Sequence, residues 1–174
     1  NISGIVLTKN NERTISKCIS SIVPLVKELM IIDDFSTDNT LETIKQIYPA
    51  VKIEKRKLER FDEQRNFGIS LVNHDWILMI DSDEIISSEL ADSLKNLRED
   101  KNLDAYWIIR MNQFFETYLP EKYIDRPILF RKGFKFVNPV HEIIKFDRNK
   151  IKKLTGVLNH LNWTTMTDNI KKAN

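Results

Sequence analysis

The stretch from Trp76 to Glu84 constrains the fold more than any other, because its character changes abruptly part-way along. An unbroken apolar run, Trp76–Ile80, is followed directly by Asp81, Asp83 and Glu84. A run of this length without alternation is typical of a strand buried on both faces of a sheet. The sequence therefore predicts a central strand of an open α/β sheet. Its carboxylates would lie at the edge where such sheets bind ligands.

Carboxylates this close together repel one another, and a bound divalent metal, a basic partner or proton uptake relieves the repulsion. Asp81 and Asp83 are two positions apart, so an extended or tightly turned backbone lets both reach one cation. The alternative is a solvated acidic turn that leads into a helix. An Asp-x-Asp pair alone does not decide between these two interpretations.

Apolar and polar segments alternate through the first half of the chain. Short apolar runs predict strands at Ile2–Leu7, Glu28–Ile32 and Val51–Glu54. Helical spacing of apolar residues predicts helices around Ile15–Val23, Leu41–Ile47 and Phe61–Leu71. Asp38 or Thr37 is expected to cap the second helix. Strands that alternate with helices favour a mostly parallel, Rossmann-like α/β sheet with right-handed crossovers.

Beyond Glu84 the chain is richer in predicted strands. Ser87 is expected to cap a helix that continues through Leu97. Short strands are predicted at Ala105–Ile109, Ile128–Phe130 and Lys135–Val137. We interpret residues 1–174 as one domain, with a nucleotide-binding half over 1–98 and an acceptor-side half over 99–174. A first residue other than Met leaves open that the chain is a fragment of a longer protein.

Charge and cysteine content narrow the functional classes. The chain has 27 Lys and Arg residues and 25 Asp and Glu residues, which gives a net charge of +2. This charge is too small for a strong field that attracts nucleic acid, so we expect no nucleic-acid partner. The single cysteine, Cys18, excludes an internal disulfide, is expected in the core and favours a cytoplasmic location. The basic pairs Lys152-Lys153 and Lys171-Lys172 leave open a peripheral contact with the inner face of a membrane.

Polar clusters follow three of the predicted parallel strands, and their order along the chain carries a resemblance. The clusters are Thr8–Glu12, Asp33–Thr40 and Asp81–Glu84, with Gln64-Arg65-Asn66 between the last two. In this order the sequence resembles the family 2 glycosyltransferases, which have the GT-A fold. The resemblance covers residues 2–98 well and extends more loosely to Val140-His141-Glu142 and His160. Within this family, the sequence is similar to the branch that includes lipopolysaccharide-core glucosyltransferases and some peptide glycosyltransferases.

The resemblance implies transfer of a sugar from a UDP-sugar to a saccharide, lipid-linked glycan or peptide acceptor, assisted by Mn²⁺ or Mg²⁺. It implies nucleotide-sugar-binding roles for Thr8, Asn10, Glu12, Asp33, Asp34, Arg65, Asp81 and Ser82. It implies metal-binding roles for Asp83, Asp81 and His160. Asp33 or Asp34, with Thr8, is expected to hold the uracil edge, since a carboxylate accepts the ring N–H of uracil and cytosine offers none.

Family 2 enzymes invert, so a carboxylate must take the proton of the attacking acceptor group. The resemblance and the sequence leave three candidates for this base, in the order Glu142, Glu84 and Asp125. An ion pair with Lys145 is the alternative role for Glu142. An exposed helix arginine paired with Asp62 is the alternative for Arg65.

Several interpretations stay open at this level. His160 is either a Mn²⁺ ligand or a packed structural histidine. Phe35 stands where the family has glycine, so the loop around the uracil is expected to be shaped differently. A nucleotidyltransferase on a related fold would be expected to carry a glycine-rich loop after the first strand, and Thr8–Arg13 contains no glycine. A non-catalytic nucleotide-binding module of a larger glycan-assembly protein is the third class.

Overall fold

The computed structural model describes residues 1–98, 100–114, 117–120, 127–138 and 143–161, and one mixed sheet organises them. Its strands are β1 (Ile2–Thr8), β2 (Glu28–Asp33), β3 (Lys52–Lys55), β4 (Trp76–Asp81), β5 (Glu84–Ile86), β6 (Ala105–Phe114), β7 (Thr117–Pro120), β8 (Leu129–Arg131) and β9 (Ile151–His160). The helices are α1 (Ile15–Ile22), α2 (Thr40–Ile47), α3 (Phe61–Leu71) and α4 (Ser88–Lys95), with 3₁₀ turns at Val23–Leu25 and Arg148–Lys150. Along the sheet the order is β3-β2-β1-β4-β8-β6-β9-β5, and β7 pairs with β6 beside this path.

The first four strands form the parallel part of the sheet. β1 pairs in parallel with β2 on one side and with β4 on the other, and β3 extends β2. β4 is buried from Trp76 to Ile80 and lies in the middle of the sheet, as its apolar run predicted. Because β1, β2 and β4 point the same way, the polar residues after them gather at one edge of the sheet.

The later strands complete the sheet mainly by antiparallel pairing. β8 is antiparallel to β4 and β6, and β5 is antiparallel to β9, whereas β6 and β9 run parallel. β5, β7 and β9 were not predicted. The strand predicted over residues 135–137 is wrong, because Val137 forms an isolated bridge with Ile143 instead.

A bulge in β9 changes its register against β6. β6 advances by two residues, from Trp107 to Ile109, while β9 advances by four, from Lys153 to Val157. Gly156 lies in this bulge with a φ of 91°, in the left-handed region that favours glycine. The bulge therefore sets which β9 residues lie opposite the ends of β5 and β6.

Beyond the bulge, the end of β9 lies between two strands. His160 lies opposite Asn112 on β6 and opposite Glu84 on β5. The backbone of Gly156 packs against the backbone of Leu90 in α4. Helix α4 and the bulge together fix the end of β9 beside the polar edge of the sheet.

Apolar side chains pack on both faces of the sheet. One cluster joins Ile15 and Cys18 of α1 to Leu90 of α4, and the other contains Phe130 and Phe136. Cys18 is fully buried, as predicted for a core residue, and burial together with nearby carboxylates raises the pKa of its thiol. The longest described helix, α3, has 11 residues, and no described helix has the length and apolarity to cross a bilayer.

The helix caps test two of the predictions. Ser87 caps α4 as expected, since its Oγ accepts a hydrogen bond from the Leu90 amide at 3.2 Å. The cap predicted for α2 is at the wrong residue. The N-cap of α2 is Asn39, whose side chain makes no capping hydrogen bond. The Asp38 carboxylate instead accepts from the backbone amide of Thr40 at 3.0 Å.

Glu28, at the start of β2, joins three segments. Its carboxylate accepts from Ser3 Oγ at 2.7 Å, from the Asn73 amide at 2.6 Å and from Lys52 Nζ at 3.1 Å. Burial raises the pKa of Glu28, but the bonds from Asn73, Ser3 and Lys52 outweigh burial and lower it to about 2. The ionised carboxylate is therefore stabilised by folding.

Glu28→Gln is expected to lower the free energy of unfolding at neutral pH by on the order of 1–3 kcal/mol, because the charged acceptor of bonds from Ser3, Asn73 and Lys52 is lost. Since folding lowers the Glu28 pKa from 4.5, its contribution is present above pH 4.5 and disappears as pH falls towards 2. Urea denaturation at a series of pH values measures this, with exposed Glu54→Gln as the control. A deficit of the same size at every pH would contradict it.

Candidate active site

A cavity of about 370 Å³ opens at the carboxyl ends of β1, β2 and β4. Its apolar lining consists of Leu7, Ile32, Leu58 and Phe61. Its polar lining consists of Thr8, Lys9, Asn11, Asp34, Gln64, Asp81, Ser82, Asp83, Arg110 and His160. A cavity with this mixture fits a ligand that has a flat apolar part and a charged part.

Each carboxylate of the Asp81–Glu84 segment has a basic partner from a different element. The pairs are Asp81 with Arg65 at 3.0 Å, Glu84 with Arg110 at 2.9 Å, and Asp83 with His160 at 3.3 Å. Among the three remedies for carboxylate repulsion, basic partners are the one that the described residues supply. Asp81 and Glu84 are thus ion-paired with arginines and Asp83 lies against an imidazole, so the segment is not a solvated acidic turn.

Arg65, predicted to bind the nucleotide sugar, does not line the cavity but pairs with Asp81, which does. Its side chain is 4% exposed, and its guanidinium donates to both Asp81 oxygens, at 3.0 and 3.4 Å. It also lies over the ring of Phe136, 5.5 Å from the centroid. The exposed-arginine alternative is wrong, because Arg65 is buried and Asp62 instead pairs with Arg60 at 2.7 Å. Arg65 therefore fixes the orientation of the Asp81 carboxylate.

Asp83 and His160 face each other in the cavity lining. Asp83 is 37% exposed and His160 is 15% exposed. The backbone carbonyl of Asp83 accepts from the Leu161 amide at 2.8 Å, which fastens the end of β9 to the turn after β4. A carboxylate oxygen and an imidazole nitrogen are suitable ligands for Mn²⁺. The pair therefore fits a divalent cation.

The predicted three-residue metal set is not assembled here. In the part of the chain that the structure describes, no three His, Cys, Asp or Glu side chains lie close enough together to hold a metal ion. Asp83 and His160 are brought together, whereas Asp81 is held by Arg65. Two protein ligands are sufficient where a phosphorylated ligand supplies further oxygens.

Glu84 lies below the cavity floor. Its side chain is fully buried, pairs with Arg110 and accepts from the Asp81 amide at 2.8 Å. A fully buried carboxylate that is ion-paired with Arg110 does not reach an acceptor hydroxyl. The geometry favours a supporting role for Glu84, which shapes the turn that carries Asp81 and Asp83.

The two neighbouring aspartates after β2 have different surroundings. Asp33 is fully buried and accepts from the Ser36 amide at 3.0 Å, so it shapes the loop. Asp34 lines the cavity and accepts from Lys9 Nζ at 2.6 Å and from the Leu58 amide at 3.0 Å. These two bonds lower the pKa of Asp34, which stays ionised. Of the two alternatives, Asp34 is the one that lines the cavity.

Thr8 and Ser82 also line the cavity. The Thr8 side chain is buried, and its Oγ1 has no hydrogen-bond partner among the described residues. Leaving a buried hydroxyl unpaired is costly, so a ligand that bonds to it would be favoured. Ser82 Oγ accepts from Asn11 Nδ2, and the Ser82 carbonyl accepts from Thr14 Oγ1 at 2.9 Å. Ser82 thereby joins the loops after β1 and β4.

Asn10 and Glu12 lie outside the cavity lining, contrary to their predicted role. Asn10 Oδ1 accepts from the Thr37 amide at 2.8 Å, and Glu12 Oε2 accepts from the Asn39 amide at 3.3 Å. These contacts connect the loop after β1 to the loop after β2. In the loop after β2, Phe35 has a φ of 52°, the left-handed conformation that glycine adopts readily.

Two candidate bases, Asp125 and Glu142, lie outside the described residues, as does His141. Eight cavity residues were not predicted as site residues: Leu7, Lys9, Asn11, Ile32, Leu58, Phe61, Gln64 and Arg110. Lys9 and Asn11 belong to the polar segment already noted after β1. For Phe61, the sequence indicated only that it begins the predicted helix Phe61–Leu71. No feature of the sequence marked Arg110 as a site residue. It lies on β6, which comes near the site only because of the order of the strands in the sheet.

A model of glycosyl transferase family 2 matches residues 3–157, which is most of the chain. The chain belongs to glycosyl transferase family 2. This membership favours a transferase over the nucleotidyltransferase and the non-catalytic module.

Two relatives show the extent of the similarity. This family 2 glycosyltransferase is 28% identical over 191 residues to an uncharacterized glycosyltransferase of Rickettsia typhi, covering 99% of this chain and 64% of the relative. It is 29% identical over 141 residues to the SPbeta prophage-derived glycosyltransferase SunS of Bacillus subtilis, covering 79% of this chain and 33% of SunS. The chain spans less than two thirds of either relative.

Solved structures share the fold. TarS 1–349 of S. aureus, in complex with UDP-GlcNAc, superposes with a TM-score of 0.66 at 16% identity, over 97% of this chain and 60% of that chain. Glucosyl-3-phosphoglycerate synthase of Mycobacterium tuberculosis, in complex with Mn²⁺, UDP and glucosyl-3-phosphoglycerate, gives 0.51 at 20% identity, over 65% and 44%. The fold of this family 2 glycosyltransferase is therefore GT-A, as the resemblance implied.

Proposed function

We propose that this family 2 glycosyltransferase takes a sugar from a UDP-sugar with the help of Mn²⁺ or Mg²⁺ and transfers it with inversion. The observation that carries the proposal is the arrangement of the cavity lining along the sheet. Asp34 follows β2 and Asp83 follows β4, on either side of β1. The Leu58 amide donates to Asp34 and His160 lies against Asp83, so the lining has an Asp34 end and an Asp83 end. A nucleoside diphosphate has the same polarity, with a flat base at one end and anionic phosphates at the other.

The base is assigned to the Asp34 end. An ionised Asp34 accepts the ring N–H of uracil, and the unpaired hydroxyl of Thr8 supplies a further hydrogen bond. Lys9 holds the Asp34 carboxylate at 2.6 Å and, being largely exposed, can turn towards the diphosphate when uracil takes its place. Recognition of this kind selects uracil over cytosine, because cytosine lacks the ring N–H.

The diphosphate is assigned to the other end of the cavity. A divalent cation bound there stabilises the negative charge that develops on the leaving diphosphate. Asp83 and His160 would hold this cation, and Asp81, oriented by Arg65, is placed for the ribose hydroxyls. Two structural neighbours support this assignment, since TarS 1–349 was solved with UDP-GlcNAc and glucosyl-3-phosphoglycerate synthase with UDP and Mn²⁺.

The acceptor is a saccharide, a lipid-linked glycan or a peptide. A carboxylate takes the proton of its attacking group, and Glu142 is the first candidate, with Asp125 behind it. Glu84 is the weakest of the three, because it is buried against Arg110.

Calorimetric titration of UDP into the protein, with and without Mn²⁺, tests the proposed function. CDP, whose base has no ring N–H, serves as the control for the base, beside GDP and dTDP. UDP binding that requires Mn²⁺ and exceeds CDP binding is the expected result. Equal binding of UDP and CDP would overturn the assignment of the base to Asp34, and metal-independent binding would overturn the assignment of the cation.

Phe61→Ala is expected to weaken UDP binding by about 1–3 kcal/mol, or roughly tenfold to a hundredfold, because stacking of an aromatic side chain on a base contributes energy of this order. Phe61 lines the cavity and is 48% exposed, which leaves its ring accessible to a base. The same titration in the presence of Mn²⁺ measures the loss.

Phe35→Ala is the matched control for Phe61→Ala. Phe35 is also exposed, at 53%, and belongs to the loop after β2, but it does not line the cavity. Its substitution is expected to leave the UDP affinity unchanged. Equal losses in the two variants would contradict stacking on Phe61.

A further inference from the structure

Asn112 is the side chain that meets the far side of the His160 ring. The parallel pairing of β6 and β9 places the two residues opposite each other. His160 Nδ1 lies 2.8 Å from Asn112 Oδ1, and His160 Nε2 lies 3.3 Å from Asp83 Oδ2. The imidazole therefore bridges an amide oxygen on one side and a carboxylate on the other.

The two contacts assign different roles to the two ring nitrogens. An amide oxygen only accepts hydrogen bonds, so the contact with Asn112 requires the proton to be on Nδ1. The lone pair of a neutral imidazole is then on Nε2, which faces Asp83. A lone pair and a carboxylate at this distance repel each other, and a cation between them removes the repulsion. The hydrogen bond at one nitrogen thus prepares the other for a metal.

We propose that Asn112 is a positioning residue that holds His160 in the tautomer protonated at Nδ1, with Nε2 directed at the cation site. The part of this inference that concerns the metal rests on the proposed function, whereas the assignment of the tautomer does not. Asn112 acts through His160 alone and touches neither the nucleotide nor the cation. Its effect is therefore largest for cations that bind imidazole well, and Mn²⁺ does so more readily than Mg²⁺.

The tautomer is measured directly by ¹⁵N NMR of the histidine rings in metal-free protein, at a pH where the imidazole is neutral. The His160 signals are identified by their loss in His160→Gln. In the wild-type protein Nδ1 is expected to carry the proton, and in Asn112→Ala the Nδ1-protonated form is expected to lose its dominance. An unchanged tautomer in Asn112→Ala would overturn the proposal, whatever the nucleotide data show.

Metal affinity supplies the second measurement. In the presence of UDP, Asn112→Ala is expected to weaken Mn²⁺ binding by about ten- to a hundredfold, the usual effect of removing the partner of a metal-bound histidine, and to weaken Mg²⁺ binding less. Asn112→Asp, which keeps an acceptor oxygen for Nδ1–H, is expected to restore Mn²⁺ affinity. Equal losses of Mn²⁺ and Mg²⁺ affinity, or failure of Asn112→Asp to restore Mn²⁺ binding, would contradict a positioning role.

Asn159→Ala is the matched control. It removes an asparagine next to His160 on β9, and its side chain points to the other face of the sheet. It is expected to leave both the tautomer and the Mn²⁺ affinity unchanged, and a tautomer change here would count against a specific role for Asn112. If wild-type protein binds UDP without any metal dependence, the proposed metal-assisted function fails, and the tautomer measurement still decides the role of Asn112.

Discussion

Asp83→Asn is expected to reduce UDP binding in the presence of Mn²⁺ to the level measured without metal, a loss on the order of a hundredfold or about 3 kcal/mol. The carboxylate is the anionic half of the Asp83–His160 pair, and an amide is a much weaker ligand for a divalent cation. Because Asp83 is 37% exposed and the substitution keeps its volume, the fold should be retained. Titration calorimetry measures the binding, and a thermal melt measures the stability.

Asp92→Asn provides the control for Asp83→Asn. Asp92 is an exposed residue of α4, and its substitution removes the same charge from the protein surface. It is expected to leave Mn²⁺-dependent UDP binding intact. Metal-dependent binding that survives in Asp83→Asn would remove Asp83 from the cation site.

Gly156→Ala is expected to destabilise the protein by about 3–5 kcal/mol, because strain and steric overlap act together. A Cβ at this position would lie 2.3 Å from the Leu90 amide nitrogen and 2.6 Å from its Cα, both of them backbone atoms. The φ of 91° is also unfavourable for any residue with a Cβ. Urea denaturation measures the loss in the free energy of unfolding. Movement of β9 would displace His160 as well, so Mn²⁺-dependent UDP binding should fall.

Gly133→Ala separates the two causes. Gly133 also has a positive φ, 116°, but a Cβ there would meet nothing within 4 Å. Its substitution is therefore expected to cost only the backbone strain, about 1–2 kcal/mol, without effect on UDP binding. Equal losses in the two variants would show that contact with Leu90 is not the cause.

The sequence predicts the parallel part of the fold well, because its signals are local. The apolar run Trp76–Ile80 gives the central strand, and Ser87 gives the start of a helix. The convergence of polar segments after β1, β2 and β4 follows from the parallel direction of these strands, which alternating strands and helices already indicate. Glycosyl transferase family 2 and the GT-A fold also follow from this ordered set of residues.

The partners within the site depend on distant segments and could not be predicted in this way. Arg65 and Asp81 are brought together by the packing of α3 against the sheet, whereas the short spacing along the helix indicated only Asp62 as an alternative partner. Asp33 and Asp34 are adjacent in sequence, yet one is buried and the other lines the cavity, because successive side chains at a strand end point to opposite sides. The bulge at Gly156 that places His160 had no recognisable local pattern.

The position of β4 between β1 and β8 has a consequence for dissecting this protein. β8 comes from the second half of the chain, so a fragment that ends after α4 would leave one edge of β4 without its partner. β4 is apolar on both faces. If its edge were exposed, strands of other chains could pair with it, and the fragment would aggregate. A chimera or truncation of this protein must therefore keep β8, the strand that covers this edge of β4.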